Sequence, residues 1–398
     1  MKNNPYVGPR PYERGERRNF YGRDRDARDL IGVILSEQVT LFYAQSGAGK
    51  TSLLNAQVIP TLEERGLYVF PVARVSSDLP SSVSAQAVDN IFVFSALLGW
   101  AGSDVAPESL LGHTLLSYMQ QVVRDPELHP PLLILDQFEE LFTTHRDRWQ
   151  EAGPFLEQVR ELADAMPRLG VVLAMREDHV AELDAYARVL PIPLRARLRM
   201  ERLGPEAALE AVTKPALAAG CPFAEGVAER LVDDLRRIKV QQAEQAPDMP
   251  VLGPFVEPVQ LQVVCQRLWE ALPDQADYAI QWEEVERYGD IDRALIGFYE
   301  DVVAATIQET GVTERQLRRW VGTQLITPVP TRGLVLRTET DTAGLPNAAV
   351  DVLEGKHLIR AEMRAGARWY ELSHDRLVDP ILQSNAAWDA ARETPLRL

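Results

Sequence analysis

Between an apolar run and a helix-like pattern the chain places AQSGAGKT, Ala44 to Thr51. Small residues, a lysine and a hydroxyl in that spacing have the chemistry of a phosphate cradle. Gly47 and Gly49 let backbone N–H groups turn inward, and the helix that follows points its positive end at the same place. The stretch Ser46, Gly47, Ala48, Gly49, Lys50, Thr51 and Ser52 is therefore the candidate nucleotide-binding segment. Lys50 would hold the β- and γ-phosphates and Thr51 would ligate Mg²⁺. The pattern is the relaxed P-loop form, with Ala44 where the stricter form has glycine.

Three further sites carry candidate chemistry. Asp136 ends the apolar run LLILD, where a carboxylate facing the loop can bind the Mg²⁺ shell. Gln137 follows at the position where many related ATPases have a catalytic glutamate, so slow hydrolysis is expected. Either Glu139 or Glu140 could orient the attacking water, although both also suit a helix N-terminus. Arg176 ends VVLAMR, where a guanidinium could report a γ-phosphate or pair with Glu177 or Asp178.

These groups need a scaffold, and the pattern supplies one. VTLFYA, LYVFPVARV, PPLLILD, GVVLAMRED and LRARLRMERL read as strands, the last at an edge. They alternate with helical stretches, including one from Thr51 expected to break near Pro60, WQEAGPFLEQVRELADAM and HVAELDAYARVL. Short apolar strands alternating with helices give an α/β fold with a mainly parallel sheet covered on both faces. After Leu203 the strand signal vanishes. PEAALEAVTKPALAAG, GVAERLVDDLRRIKV and PVQLQVVCQRLWEAL read as a helical bundle, with QQAEQAPDMPVLGPFV as an extended loop. From Ile291, two helices followed by the hairpin HLIRAEMRAGARWYELSH suggest a winged helix. The expected domains are thus 1–203, 204–290 and 291–398.

Composition bounds the function. The 398 residues carry a formal charge of −16, a poor balance for general nucleic-acid or anionic-membrane binding. The two cysteines, Cys221 and Cys265, are too few for a disulfide framework and fit a reducing cytoplasm. MKNNPYVGPRPYERGERRNF lacks an apolar core, so no signal peptide is expected. IFVFSALLGWAG is too short to span a membrane and reads as a buried helix.

Taken together and in order, these pieces resemble the STAND class of P-loop NTPases, most nearly its bacterial "novel STAND" branch. The resemblance covers nearly the whole chain and rests on NPYVGPRPYERGERRNFYGRD, AQSGAGKTSLLNAQVIPTL, LLILDQFEELF, AMREDHV and AVTKPA. It implies roles that spacing does not. Gly22 and Arg23 would contact the nucleotide near the adenine, and Pro258, in EPVQLQ, would touch the base. His374, in LSHD, would bind the ADP β-phosphate, with Ser373 where related switches have methionine; read without the resemblance, the segment looks like surface capping residues.

The resemblance further implies an ATP/ADP switch that opens on nucleotide exchange and self-associates, in bacterial defence against phage or cell death. Family members typically carry a large sensor after the winged helix. This chain ends at AWDAARETPLRL, so the sensor is expected to have been cut away or to sit on another protein, as is the effector. Two other readings stand beside it. One is an AAA+-type DNA-binding or DNA-loading protein, supported by Arg315, Arg318 and Arg319 on one helix. The other is a nucleotide-binding scaffold without turnover.

Overall fold

The apolar runs of the first half form a five-stranded parallel sheet, in the order β2-β3-β4-β1-β5. Its strands are β1 (Val39–Ala44), β2 (Tyr68–Val69), β3 (Pro131–Leu135), β4 (Gly170–Arg176) and β5 (Arg197–Met200). The computed structural model describes residues 4–77, 79–103, 105–186, 188, 196–239, 250–273, 278–288, 290–338, 340–364, 367–373 and 375–392. Two compact units result: Tyr12–Arg202, and Met1–Pro11 together with Leu203–Leu398.

In the first unit every residue of β3 is buried, as a strand covered on both faces must be. Register fixes which side chains share a face: Leu41 and Leu135 both pair with Leu173. Those leucines face one core, with α4 (Ile91–Ala101), α5 (Leu115–Val122) and α7 (Ala152–Ala165). Phe42, Ile134 and Val172 face the other, with α1 (Asp24–Ser36) and the helix after the loop. IFVFSALLGWAG is the buried helix expected, α4, capped by Asn90 accepting from the amides of Phe92 and Val93. Two short helices, α6 (Glu140–Thr143) and α8 (Val180–Asp184), follow β3 and β4. The later residues of HVAELDAYARVL lie mostly outside the described residues.

Two expectations are corrected here. The helix after the loop does not break near Pro60. It runs from α2 (Lys50–Leu53) through a π-turn (Leu54–Val58) into α3 (Ile59–Glu64), with the Ile59 amide bonded to the Leu54 carbonyl. A proline lacks the N–H that an α-turn needs and its ring crowds the preceding carbonyl. A wider turn just before it relieves both. LYVFPVARV, read as one strand, forms a ladder over Tyr68–Val69 only and returns to β3 as a bridge between Ala73 and Leu135. Pro71 lies between and cannot donate to a ladder.

The second unit contains α9 (Pro205–Ala218), α10 (Val227–Leu235), β6 (Arg237–Lys239), β7 (Pro250–Leu252), α11 (Pro258–Ala271) and α12 (Trp282–Tyr288). It continues with α13 (Ile291–Thr310), α14 (Glu314–Gln324), β8 (Val335–Leu336), β9 (Asp341–Thr342), β10 (Leu345–Pro346), α15 (Asn347–Gly355), β11 (Ile359–Arg364), β12 (Ala367–Leu372) and α16 (Val378–Arg392). The region read as strandless and looped therefore holds a short antiparallel pair, β6 with β7. Three-residue strands are too short to show a period in sequence. The expected hairpin is present as β11 and β12, extended by β8 into a three-stranded antiparallel sheet. One core runs from Leu203 to Ile381 across residue 290, so the helical bundle and the helices-plus-hairpin share a single interior. The chain's beginning also packs in this unit: Tyr6 Oη donates to the Val212 carbonyl at 2.5 Å, and the Val7 amide donates to Gln262 Oε1 at 3.1 Å.

The basic face expected on α14 is only partly there. Arg315 and Arg319 are exposed, but Arg318 is 4% exposed. Its guanidinium donates to Glu300, to Glu314 at 2.8 Å and to Ser384 at 2.9 Å. The sequence spacing did not show that α13 and α16 surround it. Both cysteines are buried and outside any disulfide, and burial pushes the Cys265 thiol well above its ordinary range. Among the described residues no helix is long and apolar enough to cross a membrane.

Candidate nucleotide-binding site

β1 delivers the chain at Ala44 into a loop whose two glycines take left-handed backbone, Gly47 at φ +77° and Gly49 at φ +98°. A side chain at Gly49 would meet nothing within 4 Å, so what reserves the position for glycine is its dihedral. Gly49 caps the helix, and its carbonyl receives the Leu53 amide at 2.9 Å. Ala48 is buried beneath the loop.

Lys50, on the first turn, is brought together with the carboxylates that sequence reading had picked out. Burial pulls its ammonium down from the ordinary lysine range, and Glu139 and Asp136 oppose that shift. Asp136 follows β3 and is 5% exposed. Its Oδ2 accepts from Thr51 Oγ1 at 2.7 Å, and its Oδ1 accepts from the Gln137 amide at 2.9 Å. A hydroxyl and a carboxylate side by side at a phosphate loop form an all-oxygen donor set. That set fits Mg²⁺, which prefers one or two protein oxygens and completes its shell with water and phosphate. Thr51 and Asp136 would hold the ion.

The two glutamates part company. Gln137 takes a left-handed turn at φ 54°, and Phe138 then anchors the segment, buried and donating its amide to the Ala174 carbonyl at 2.9 Å. The turn aims Glu139 inward, where its Oε2 accepts the Arg176 amide at 3.0 Å. Burial raises the Glu139 carboxyl above its usual range, against the pull of Lys50. Glu140 faces elsewhere: its Oε1 lies 3.7 Å from Arg74 Nη1, and its Oε2 is buried with no hydrogen-bond partner among the described residues. Burial pushes the Glu140 carboxyl up to about 8, only partly countered by Arg74. Arg74 and the loop after Ala73 gave no signal in sequence, because the loop's approach to Glu140 is tertiary.

This shift has a measurable consequence. The folded protein takes up a proton at Glu140 that the unfolded chain releases near its ordinary value of 4.5. Stability therefore falls as pH rises from about 4.5 towards 8, and below that window the group contributes nothing. Glu140→Gln should flatten this slope, by an amount on the order of a few kcal/mol. Melting temperatures at pH 5 and pH 9 check it: the variant should lose several degrees less than wild type on going to pH 9, and equal losses would contradict the burial argument.

Arg176 ends β4, which lies between β3 and β1 in the sheet. Its guanidinium reaches Asp178 Oδ2 at 2.5 Å, while Glu177 pairs with Arg199 at 2.8 Å. Of the two ion-pair partners the sequence left open, the structure forms the Asp178 pair. Arg176 also contributes to the field at Lys50. Gly22 is in left-handed conformation at φ 81° and leads into Arg23, which caps α1. Arg23 is 6% exposed and bonds Asp26, the Glu201 carbonyl and the Ala48 carbonyl. Ser52 Oγ accepts the Tyr12 amide at 3.2 Å. Pro258 opens α11 in the second unit. His374 lies outside the described residues.

A parallel sheet in this strand order, a glycine loop running into a helix, and a hydroxyl–carboxylate pair beneath it define a P-loop NTPase. The chain belongs to the novel STAND NTPase 1 family, whose model matches residues 5–392. Membership makes the chain an NTPase. Among curated proteins no relative matches the sequence. Solved structures similar to it include the following two. A Walker-type ATPase of Pyrococcus abyssi shares 14% identity at a TM-score of 0.47, over 94% of this chain and 98% of the other. The ORC2 protein of Aeropyrum pernix, in its ADPNP–ADP complexes, shares 15% identity at a TM-score of 0.44, over 92% and 95%. Likenesses of that size stand beside the family match without adding to it.

Proposed function

We propose that the protein is an ATP-operated molecular switch with slow hydrolysis, in which exchange of ADP for ATP shifts a closed form towards an open, self-associating one. The observation that carries this reading is the arrangement at the end of β3. The residue after Asp136 is Gln137, turned left-handed, and the half-buried acid near Lys50 is Glu139, three residues beyond Asp136. A nucleotide held by the loop amides and Lys50 would sit beside a base that burial biases towards its neutral form. That arrangement suits a long-lived ATP state more than rapid turnover.

The residues would divide the work as follows. Backbone amides from Ser46 to Thr51 and the Lys50 ammonium would bind phosphate oxygens. Mg²⁺ would neutralise developing charge on the transferred phosphoryl group. Glu139 would accept a proton from the attacking water as its oxygen bonds to the γ-phosphorus and the bond from that phosphorus to the β–γ bridging oxygen breaks, with ADP as the leaving group. Arg176 would leave Asp178 for the γ-phosphate and so register ATP against ADP. Gly22 and Pro258 would border the base, and His374 would clamp the β-phosphate of ADP.

Moving the population from mostly closed to mostly open needs about 5.5 kcal/mol of differential binding. Charge-assisted contacts of about 1.5–3 kcal/mol each, at His374 and Arg176, supply most of it. The biological setting that fits the family is bacterial defence, with a sensor or effector on another domain or protein. The alternative DNA-loading role is disfavoured by the inward turn of Arg318 and by the acidity of the chain.

The test is the nucleotide content and mass of the purified chain before and after exchange to ATP with Mg²⁺. Bound ADP and a monomer that assembles on exchange support the switch. A chain that retains no nucleotide and has no affinity for ATP removes it.

A further inference from the structure

The chain passes between its two compact units at Pro11–Tyr12 and at Arg202–Leu203. On the nucleotide-binding side, both passages are fastened to the phosphate loop and its helix. At the first, the Tyr12 amide donates to Ser52 Oγ at 3.2 Å, and Asn55 Nδ2 donates to the Tyr12 carbonyl at 3.2 Å. At the second, Arg23 Nη1 donates to the Glu201 carbonyl at 2.9 Å while Nη2 of the same guanidinium donates to the Ala48 carbonyl at 2.8 Å. The slack is small. Met200 still pairs in the sheet with Ala44, and Leu203 already bridges to Val256, leaving Glu201 and Arg202 between.

The Ala48 carbonyl matters because a peptide is one rigid plane. Gripping that oxygen fixes the opposite end of the plane, the Gly49 N–H, which is one of the amides of the phosphate cradle. Gly49 at φ +98° leaves the plane otherwise easy to rotate. A planar guanidinium can hold two carbonyls in fixed relation, which a lysine cannot. Burying it with one carboxylate, Asp26, and two carbonyls costs desolvation, so the contact is a committed one.

We propose that Arg23 is a positioning residue: it orients the Gly49 amide for phosphate and couples the phosphate loop to the Glu201–Leu203 passage. This rests on the nucleotide reading above and assigns Arg23 a role through the loop in place of a contact with the base. Phosphate on the loop pulls the Gly49 N–H, the Ala48 carbonyl is stiffened with it, and the Glu201 carbonyl is held through the same guanidinium. Occupancy is thereby felt where the chain leaves the nucleotide-binding unit.

The test compares wild type with Arg23→Gln for binding of ADP, GDP and inorganic pyrophosphate by calorimetry. It also follows amide hydrogen exchange in a peptide spanning Arg199–Gly204, with and without ADP. The expected result is that all three ligands weaken by one common factor of about tenfold, the loss of one well-made hydrogen bond. ADP should slow exchange in that peptide in wild type and fail to do so in the variant at saturating ADP. Weaker ADP binding with pyrophosphate unchanged would place Arg23 against the base and overturn the proposal. So would ADP protection of the peptide that persists in the variant. Should Arg23→Gln not fold, Arg23→Lys keeps the buried cation but not the two-carbonyl grip, and the same comparisons decide. A wild-type chain that bound none of the three ligands would remove the nucleotide reading itself and this one with it. That outcome is distinct from a wild type that binds and a variant that binds unchanged.

Discussion

Replacing Lys50 with alanine is expected to weaken Mg²⁺–ATP binding by at least about a hundredfold. The ammonium is the only cation on the first turn of the loop helix, and it lies there partly buried in the field of the Glu139 and Asp136 carboxylates. Phosphate oxygens would give it direct charge-assisted partners. Each charge-assisted hydrogen bond contributes about 1.5–3 kcal/mol, and 1.4 kcal/mol is a factor of ten in affinity. Two such bonds give the stated loss. The substitution has a second effect in the absence of nucleotide. Without the ammonium, Glu139 loses the main attraction that keeps its carboxyl from rising further, so it shifts towards the neutral form. Isothermal titration at pH 7.5 measures the first effect directly. Affinity within threefold of wild type would mean that the lysine does not face phosphate, and the site as built here would be wrong.

Glu139→Gln should separate binding from hydrolysis. The amide oxygen of glutamine can still accept the Arg176 N–H that Glu139 Oε2 accepts now, so the segment keeps its fastening. What disappears is a group able to take a proton from water. General-base catalysis is worth about 10²–10⁴-fold, and a slow enzyme sits at the lower end. Single-turnover hydrolysis should therefore fall by about 10²-fold, with ATP affinity changed less than fivefold. Glu140→Gln, the neighbouring control, should leave hydrolysis within threefold, because that carboxyl faces Arg74. If Glu140→Gln stops hydrolysis while Glu139→Gln does not, the assignment of the base is reversed.

Why the sequence did not separate the surroundings of that pair is a matter of geometry. Adjacent residues on a helix point about 100° apart, so one of two neighbouring glutamates can face the loop while the other faces away. Which one does is set by the left-handed turn at Gln137 and the anchoring of Phe138, neither of which has a local signature. The sheet was far easier. Buried parallel strands are continuous apolar runs, and VTLFYA, LLIL and GVVLAM stand out for that reason. The phosphate loop was legible because its glycines, lysine and threonine are each required by one function at one position. The short pair β6 and β7 was missed because three residues carry no period. The helix after the loop was misread because a proline inside a helix usually ends it, and here a π-turn absorbs it. In sequence Arg23 was expected, by resemblance, at the nucleotide, and Arg318 on a basic helix face. Both are buried, each held by groups far away along the chain, Glu201 in one case and Ser384 in the other.

The two buried cysteines have a practical side. Cys265 is enclosed and its thiol is held far from the reactive thiolate by burial, and Cys221 is enclosed as well. Maleimide or iodoacetamide reagents should therefore find almost nothing to modify on the folded chain. A cysteine introduced at an exposed site such as Arg319 or Leu128 would become a unique attachment point without prior removal of native thiols. Fluorescent or spin-label reporters could then be placed one per chain on the native background, and any labelling of the unsubstituted protein would serve as a direct gauge of how often its interior opens.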